Sequence, residues 1–309
     1  MKPTRFVFGP VKSRRLGLSL GVDPLGPKTC SFDCLYCEIG PTKVHTLKRA
    51  VYQPTAAIEE ALKARLSDPS LHFEVLTFAG SGEPTLHAEL GRLIRFSRSL
   101  TEKPICVLTN SSLLWDRGVR EELLGCDLIL PSLDAGREET FRRLNRPKEG
   151  LKLSQIVEGL CRLREEFSGE IWLEIMFVAG VNDSPEEVRE LSRLVAEIRP
   201  HRVQLNTVDR PPAYPEARAL SLARLEELAA CFEPRAEVIS REALTKRGGG
   251  RKPQADEIIS LLSHRPAPSD EIAAALSYDF KDTLTLLERL VKEGRLKTTV
   301  YQRRLYYHV

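Results

Sequence analysis

Short apolar runs recur through the first two thirds of the chain, separated by segments of helical periodicity. The runs are GLSLGV (17–22), EVLTFAG (74–80), ICVLTN (105–110), DLILPSL (127–133), EIWLEIMFV (170–178) and RVQLNTV (202–208). Several are rich in β-branched residues and apolar on both faces, the pattern of buried parallel strands. The segments between them carry an apolar face: Ile58, Leu62 and Leu66 within 54–66, and Leu153, Ile156, Val157, Leu160 and Cys161 within 151–167. SPEEVRELSRLVAEI (184–198) opens on a capping box, with Ser184 as cap, Pro185 in the first helical position and Glu187 reaching back. Such alternation predicts a parallel α/β architecture. A closed eight-unit barrel takes about 250 residues and two more units, so a six-unit open barrel, a partial (β/α)6 fold, suits the count better.

The alternation stops at TKRGGGRKP (245–253), where three glycines among basic residues and a proline read as a linker. Beyond it, 253–262, 269–276 and 279–294 have helical patterns, and RLKTTV (295–300) with RLYYHV (304–309) alternates as a β-hairpin does. Helix–helix–helix–hairpin resembles a winged helix. The predicted division is therefore a barrel over 1–245, a linker over 246–253 and a winged-helix-like unit over 254–309.

Composition narrows the setting. The chain has 309 residues, 42% hydrophobic and 29% charged, with a net charge of +3, which neither demands nor excludes an anionic partner. No stretch approaches the roughly 20 apolar residues of a membrane span, and the first residues lack the apolar run of a signal peptide. A cytoplasmic location and no membrane partner are expected. Seven cysteines, three of them clustered, point to ligand or catalytic roles rather than to a disulfide framework.

The cluster is TCSFDCLYCEIG (29–40), with Cys30, Cys34 and Cys37 on a loop after the first predicted strand. A structural zinc site completed by His45 or Glu38 is one reading, though no second cysteine pair exists. Three inert buried cysteines is another, which the polar Ser31 and Asp33 and the nearby Gly40 argue against. The third is a [4Fe–4S] cube held by three thiolates, which leaves one iron open to a substrate or cofactor.

The spacing C-x3-C-x2-C, with Tyr36 before the last cysteine, resembles the signature of the radical S-adenosylmethionine (SAM) superfamily. AGSGEPTL (79–86) is similar to the family's Gly-Gly-Glu-Pro segment, with Gly82-Glu83-Pro84 matching and Gly80 and Ser81 preceding them. GPVKSRRLGLSLGVDPLGPKTCSFDCLYCEIGPT (9–42) and VDRPPAYPEA (208–217) look like the iron–sulfur oxidoreductases grouped near the wyosine-type tRNA-modifying enzymes. The tRNA-wyosine synthases carry further upstream cysteines for a second cluster, whereas no cysteine precedes Cys30 here. The resemblance covers roughly residues 6–245. It implies cluster ligation by Cys30, Cys34 and Cys37, and a SAM pocket drawing on Tyr36, residues 80–84, Thr109, Asn110, Ser132, Asp134 and Asn206. Polar strand ends also suit ordinary turn chemistry, so contact with SAM at those positions stands beside a purely structural role.

The resemblance further implies that SAM chelates the open iron through its amino and carboxylate groups. The reduced cluster passes one electron to the sulfonium, giving methionine and a 5′-deoxyadenosyl radical that takes hydrogen from a substrate. An electron donor such as flavodoxin or ferredoxin is implied as partner. The substrate is open between RNA, by family neighbourhood, and a peptide, protein or small molecule; an iron–sulfur sensor regulating transcription is the non-enzymatic alternative. Lys12, Arg14 and Arg15 lead into the strand that feeds the cysteine loop and are expected, with Glu174, to face substrate. Arg142, Arg143 and Arg146 could neutralise phosphates or simply be solvated. The tail, 252–309, carries nine Lys/Arg against eight Asp/Glu, without the basic stripe of a dedicated DNA reader.

Overall fold

A computed structural model describes residues 6–239 and 250–309. Its N-terminal part begins with β1 (Val7–Ser13), β2 (Gly17–Val22), β3 (Thr29–Cys30), β4 (Val44–His45), α1 (Thr55–Leu66), β5 (Val75–Phe78), α2 (Leu90–Leu100), β6 (Ile105–Thr109) and α3 (Arg117–Leu123). It continues with β7 (Leu128–Pro131), α4 (Glu138–Leu144), α5 (Leu153–Glu166), β8 (Glu170–Phe177), α6 (Pro185–Ile198), β9 (Arg202–Thr207), α7 (Leu222–Ala229) and β10 (Glu237–Val238). The eight-stranded sheet runs β1-β2-β5-β6-β7-β8-β9-β10. From β2 to β10 every pairing is parallel and the order follows the chain. The topology is therefore that of repeated strand–helix crossovers, with the predicted strands in place.

Along β8 the burial alternates. Ile171, Leu173, Ile175 and Phe177 are wholly buried in the main core with α5 and α6, while Trp172, Glu174 and Met176 on the other face are half-buried. That second face has a small apolar cluster of its own, made by Val75, Cys106, Leu128 and Leu130 with Trp172 against them.

Two sequence expectations change. The first strand is not 17–22 but β1, which pairs antiparallel with β2 and breaks register between Phe8 and Val11. Gly9 and Pro10 stand at that break, as befits an edge strand, where a missing N–H is tolerated. Lys12 consequently lies inside β1, opposite Leu18, rather than ahead of the sheet. At α6, Ser184 accepts from the Glu187 N–H at 3.3 Å. The Glu187 carboxylate, however, accepts from the N–H groups of Gly136 (2.5 Å) and Arg137 (3.2 Å), from Arg137 Nε (2.8 Å) and from the Thr140 hydroxyl (2.7 Å). The capping box is thus half-formed, because four donors of the preceding segment outcompete one cap N–H.

The C-terminal part is α8 (Ala255–His264), α9 (Ser269–Ala275), α10 (Phe280–Lys292), β11 (Lys297–Tyr301) and β12 (Arg304–His308). The hairpin pairs Lys297 with His308 through to Tyr301 with Arg304. Its turn residues Gln302 and Arg303 have φ of 46° and 61°, the positive values a two-residue hairpin turn of matching twist requires. Ile258, Leu261, Ile272, Leu287 and Leu290 form a second core, and Val11 of β1 belongs to it. On the other side, Tyr306 Oη donates to Asp209 O at 3.0 Å and Gln302 Nε2 to Val208 O at 3.3 Å. The unit thus reaches from β1 to the segment leaving β9. Of the expected linker, residues 246–249 lie outside the described residues. No helix among the described residues is long and apolar enough to cross a membrane.

Candidate active site

The cysteine loop leaves β2 and is held from several directions. Thr29, immediately before Cys30, bridges in parallel to Gly82. Its N–H donates to Ser81 O and its carbonyl accepts from the Glu83 N–H, each at 3.1 Å. A Cβ on Gly82 would lie 1.7 Å from Thr29 O. Glycine at 82 is thus required by the approach of the cluster loop's own backbone. Further along, Asp33 and Leu35 donate backbone bonds to the end of α4, to Asn145 O (3.0 Å) and Leu144 O (2.9 Å).

Around the thiols, Asn110 Nδ2 lies 3.4 Å from Cys30 Sγ, Asn145 Nδ2 3.5 Å from Cys34 Sγ, and the Phe32 N–H 3.5 Å from Cys30 Sγ. N–H donors of this kind tune thiolate-held clusters. The three cysteines are half-buried and free of disulfides. Burial pushes the Cys30 thiol up to about 12 and holds that of Cys34 well above its usual range. Lys28 is buried beside them, its Nζ donating to Gly40 O. Burial works against its charge, but the sulfurs of Cys37, Cys30 and Cys34 together outweigh that and raise its pKa. Sequence reasoning passed over Lys28 and Asn145, whose roles depend on partners distant in the chain or folded around the loop.

Glu83 is 1% exposed. Its Oε1 accepts from the Thr85 N–H (3.1 Å), the Thr85 hydroxyl (2.6 Å) and the Thr109 hydroxyl (2.7 Å), and its Oε2 from the Asn110 N–H (2.6 Å). Burial raises its pKa while these donors pull it back. Glu83 therefore ties the end of β5 to the end of β6, and Thr109 is taken up in that tie. Gly80 and Ser81 sit against Asp23: Ser81 N donates to Asp23 Oδ2 at 3.0 Å, and a Cβ on Gly80 would meet Asp23 Cγ at 2.6 Å. The same Asp23 oxygen faces His264 Nε2 of α8 at 3.3 Å, whose ring stacks on Phe8 at 3.9 Å. The C-terminal unit therefore touches the support of the Gly-Glu-Pro segment.

Tyr36 Oη donates to Asp134 Oδ2 at 2.5 Å, Asn145 Nδ2 donates to the same oxygen at 2.7 Å, and the Met176 N–H donates to Asp134 Oδ1 at 2.9 Å. Burial pushes the Asp134 carboxyl up to about 6 against these donors. Both its oxygens are thus committed to the protein. Ser132, half-buried, bridges in parallel to Glu174, and its carbonyl accepts from the Ser111 hydroxyl at 2.8 Å. Glu174 Oε1 accepts from Asn206 Nδ2 and pairs with Arg15. Arg14 pairs with Asp209 at 2.9 Å. The expected substrate-facing groups Arg14, Arg15, Glu174 and Asn206 are thus joined to one another or to neighbouring carboxylates. Lys12 stands apart, with no side-chain bond among the described residues. Arg142 pairs with Glu138 at 2.7 Å, and Arg146 pairs with Glu216 at 3.1 Å and covers the Tyr214 ring.

The donors fit a cube with one open iron better than a single ion. Among the described residues, no group of three or more His, Cys, Asp or Glu side chains is arranged to hold one metal ion, as a tetrahedral zinc site requires. In a cube each thiolate meets a different iron, so the sulfurs need not converge on one point. The two fourth-ligand candidates are engaged elsewhere: His45 Nε2 with Ser31 O at 3.0 Å, and Glu38 with Arg210 at 3.3 Å.

This three-thiol loop, fastened to a Gly-Glu-Pro strand end in a parallel α/β sheet, defines an enzyme of radical type. The model of the Radical SAM superfamily matches residues 27–194. The chain belongs to the radical SAM superfamily, whose cofactors are a [4Fe–4S] cluster and SAM. It is 36% identical to the GTPase Obg of Brachyspira hyodysenteriae over 99% of its own length but spans only 45% of that protein. It is 33% identical to the UPF0026 protein of Helicobacter pylori (strain ATCC 700392 / 26695), covering 91% of each. The dual-specificity RNA methyltransferase RlmN of Nitratidesulfovibrio vulgaris is 27% identical over 60% of this chain and 51% of that one. A radical SAM methyltransferase from Sphaerobacter thermophilus shares the fold, with a TM-score of 0.54 and 19% identity over 73% of this chain and 67% of that one.

Proposed function

We propose that this protein reductively cleaves SAM and takes a hydrogen atom from an RNA substrate. One observation carries the reading: the backbone join of Thr29 to Gly82 sets the cysteine loop and the Gly82-Glu83-Pro84 strand end against each other. In this reading Cys30, Cys34 and Cys37 hold the cluster, and backbone from residues 80–84 receives the methionine end of SAM. When bound, cluster and SAM supply a reducing electron and a carbon-centred radical. Tyr36, Asn110 and Ser132 stand around the site, while Glu83 and Asp134 fix the positions of Asn110 and Tyr36.

RNA as substrate is supported by the relative named as an RNA methyltransferase. The N-terminal unit is read as a partial (β/α)6 barrel and 254–309 as a winged-helix-like unit that presents the substrate, in line with its helix–helix–helix–hairpin order. A flavodoxin or ferredoxin would deliver the electron, in the cytoplasm.

The test is anaerobic. Reconstituted protein with SAM and a strong reductant should release 5′-deoxyadenosine, and Cys34→Ala should lose both iron and product. Intact cluster without product, even with cellular RNA present, would sink the reading. Bound RNA should be released steeply by salt, as phosphate contacts dictate; a flat response would remove RNA from the proposal.

A further inference from the structure

Most cations around the site are spoken for. Arg14 has Asp209, Arg15 has Glu174, and Arg210, 4% exposed in its side chain, has Glu271 at 2.7 Å and Glu38 at 3.3 Å. Two are not. Lys43, on the far side of the cysteine loop, makes no side-chain hydrogen bond or ion pair among the described residues. Arg265, just past α8, makes none either, and its Nε is buried without a partner. The two line one cleft of about 490 Å³, Lys43 from the cysteine-loop wall and Arg265 from the C-terminal unit. Lys28 and His308 line the same cleft, and Glu38 is its one acidic side chain. Glu38 is taken by Arg210 and makes no ion pair with Arg265. Burial and the neighbouring Arg210 pull the Arg265 pKa down to about 10, while Glu38 and Glu271, both turned to Arg210, offset only part of that.

An unpartnered buried donor is costly, and a fork of guanidinium N–H groups matches the oxygens of a phosphate. The cleft is also of a size that takes a nucleotide-sized group. We infer that Lys43 and Arg265 clamp a phosphate group of the substrate in the cleft between the cysteine loop and the C-terminal unit. The inference rests on the proposed function only in identifying the phosphate's bearer as substrate; the site itself follows from the two unpartnered cations. It also gives the C-terminal unit a part in binding, since one half of the clamp is its residue.

Inorganic pyrophosphate is the probe, titrated calorimetrically into the reconstituted full chain. Lys43→Gln and Arg265→Gln should each weaken its binding about ten- to a hundredfold, the worth of one charged hydrogen-bond partner. Arg265→Lys should recover part of the loss, since it keeps the charge and loses the fork. Thermal melts and the cluster's visible absorption show that each variant is folded, and Lys43 is exposed enough that its replacement leaves the core alone. Competition identifies the source: a short single-stranded RNA that displaces pyrophosphate assigns the clamp to RNA phosphate, and adenosine monophosphate displacing it where RNA does not assigns it to a free nucleotide. No pyrophosphate binding by the wild type, or variants that bind like wild type, overturns the clamp. SAM cleavage by the same preparations is read separately. Cleavage without pyrophosphate binding refutes the clamp alone, and binding without cleavage refutes the proposed function alone.

Discussion

Gly82 and Asp134 are the residues on which the site's geometry turns. At 82 even one methyl group would overlap Thr29 O, and neither backbone can withdraw without breaking the two 3.1 Å bonds beside it. Gly82→Ala should therefore displace the cysteine loop and lower cluster incorporation severalfold, measured as iron and sulfide per protein after reconstitution. Gly40→Ala is a useful contrast, because a Cβ there meets nothing within 4 Å, although its φ of +97° carries some backbone strain. Asp134 gathers three donors, from Tyr36, Asn145 and Met176. Asp134→Ala leaves them without an acceptor, at about 1–3 kcal/mol for each that water cannot reach. A drop of that order in unfolding free energy by urea titration is expected; an unchanged midpoint would show that Asp134 is not the anchor. The cysteines and Gly82-Glu83-Pro84 were legible in the sequence because their spacing is local. The work of Glu83 was not, since its acceptors' donors on Thr109 and Asn110 lie 26 and 27 positions away.

The elements were legible in proportion to how completely they are buried. β6 and β7 read as continuous apolar runs because both faces are covered. β1 did not, since Gly9 and Pro10 interrupt it and it pairs on one side only. The joining of α9 to the segment after β9 was also illegible, because it rests on one ion pair between residues 61 positions apart. That pair, Arg210–Glu271, has side chains 4% and 8% exposed. Glu271→Ala should cost about 3 kcal/mol, the low end for a broken buried pair, since Glu38 still faces Arg210. The exposed Arg117–Glu121 pair of α3, at 82% and 55%, should by contrast contribute nothing measurable, so Glu121→Ala should leave the urea midpoint in place. Equal effects of the two substitutions would mean that the C-terminal unit is not held by the buried pair.

At the scale of the molecule, the sheet begins at β1 and the C-terminal unit packs on that strand while also bonding the chain beyond β9. The unit therefore reports on both parts of the sheet, and through His264 and Asp23 it touches the Gly80–Ser81 backbone. The sequence suggested a separate module on a linker; it could not indicate this docking, because Asp23, His264 and Phe8 carry no mutual signal along the chain. The central claim concerns the fourth iron of the cluster, for which the loop offers three thiols while His45 and Glu38 are turned to other partners. The most direct measurement is the electron paramagnetic resonance spectrum of the reduced, reconstituted protein with and without SAM. An iron without a protein ligand predicts that SAM changes the spectrum, and that SAM labelled with ¹⁵N in its amino group adds a hyperfine coupling. Identical spectra with and without SAM, in protein carrying a full cluster, would contradict the account.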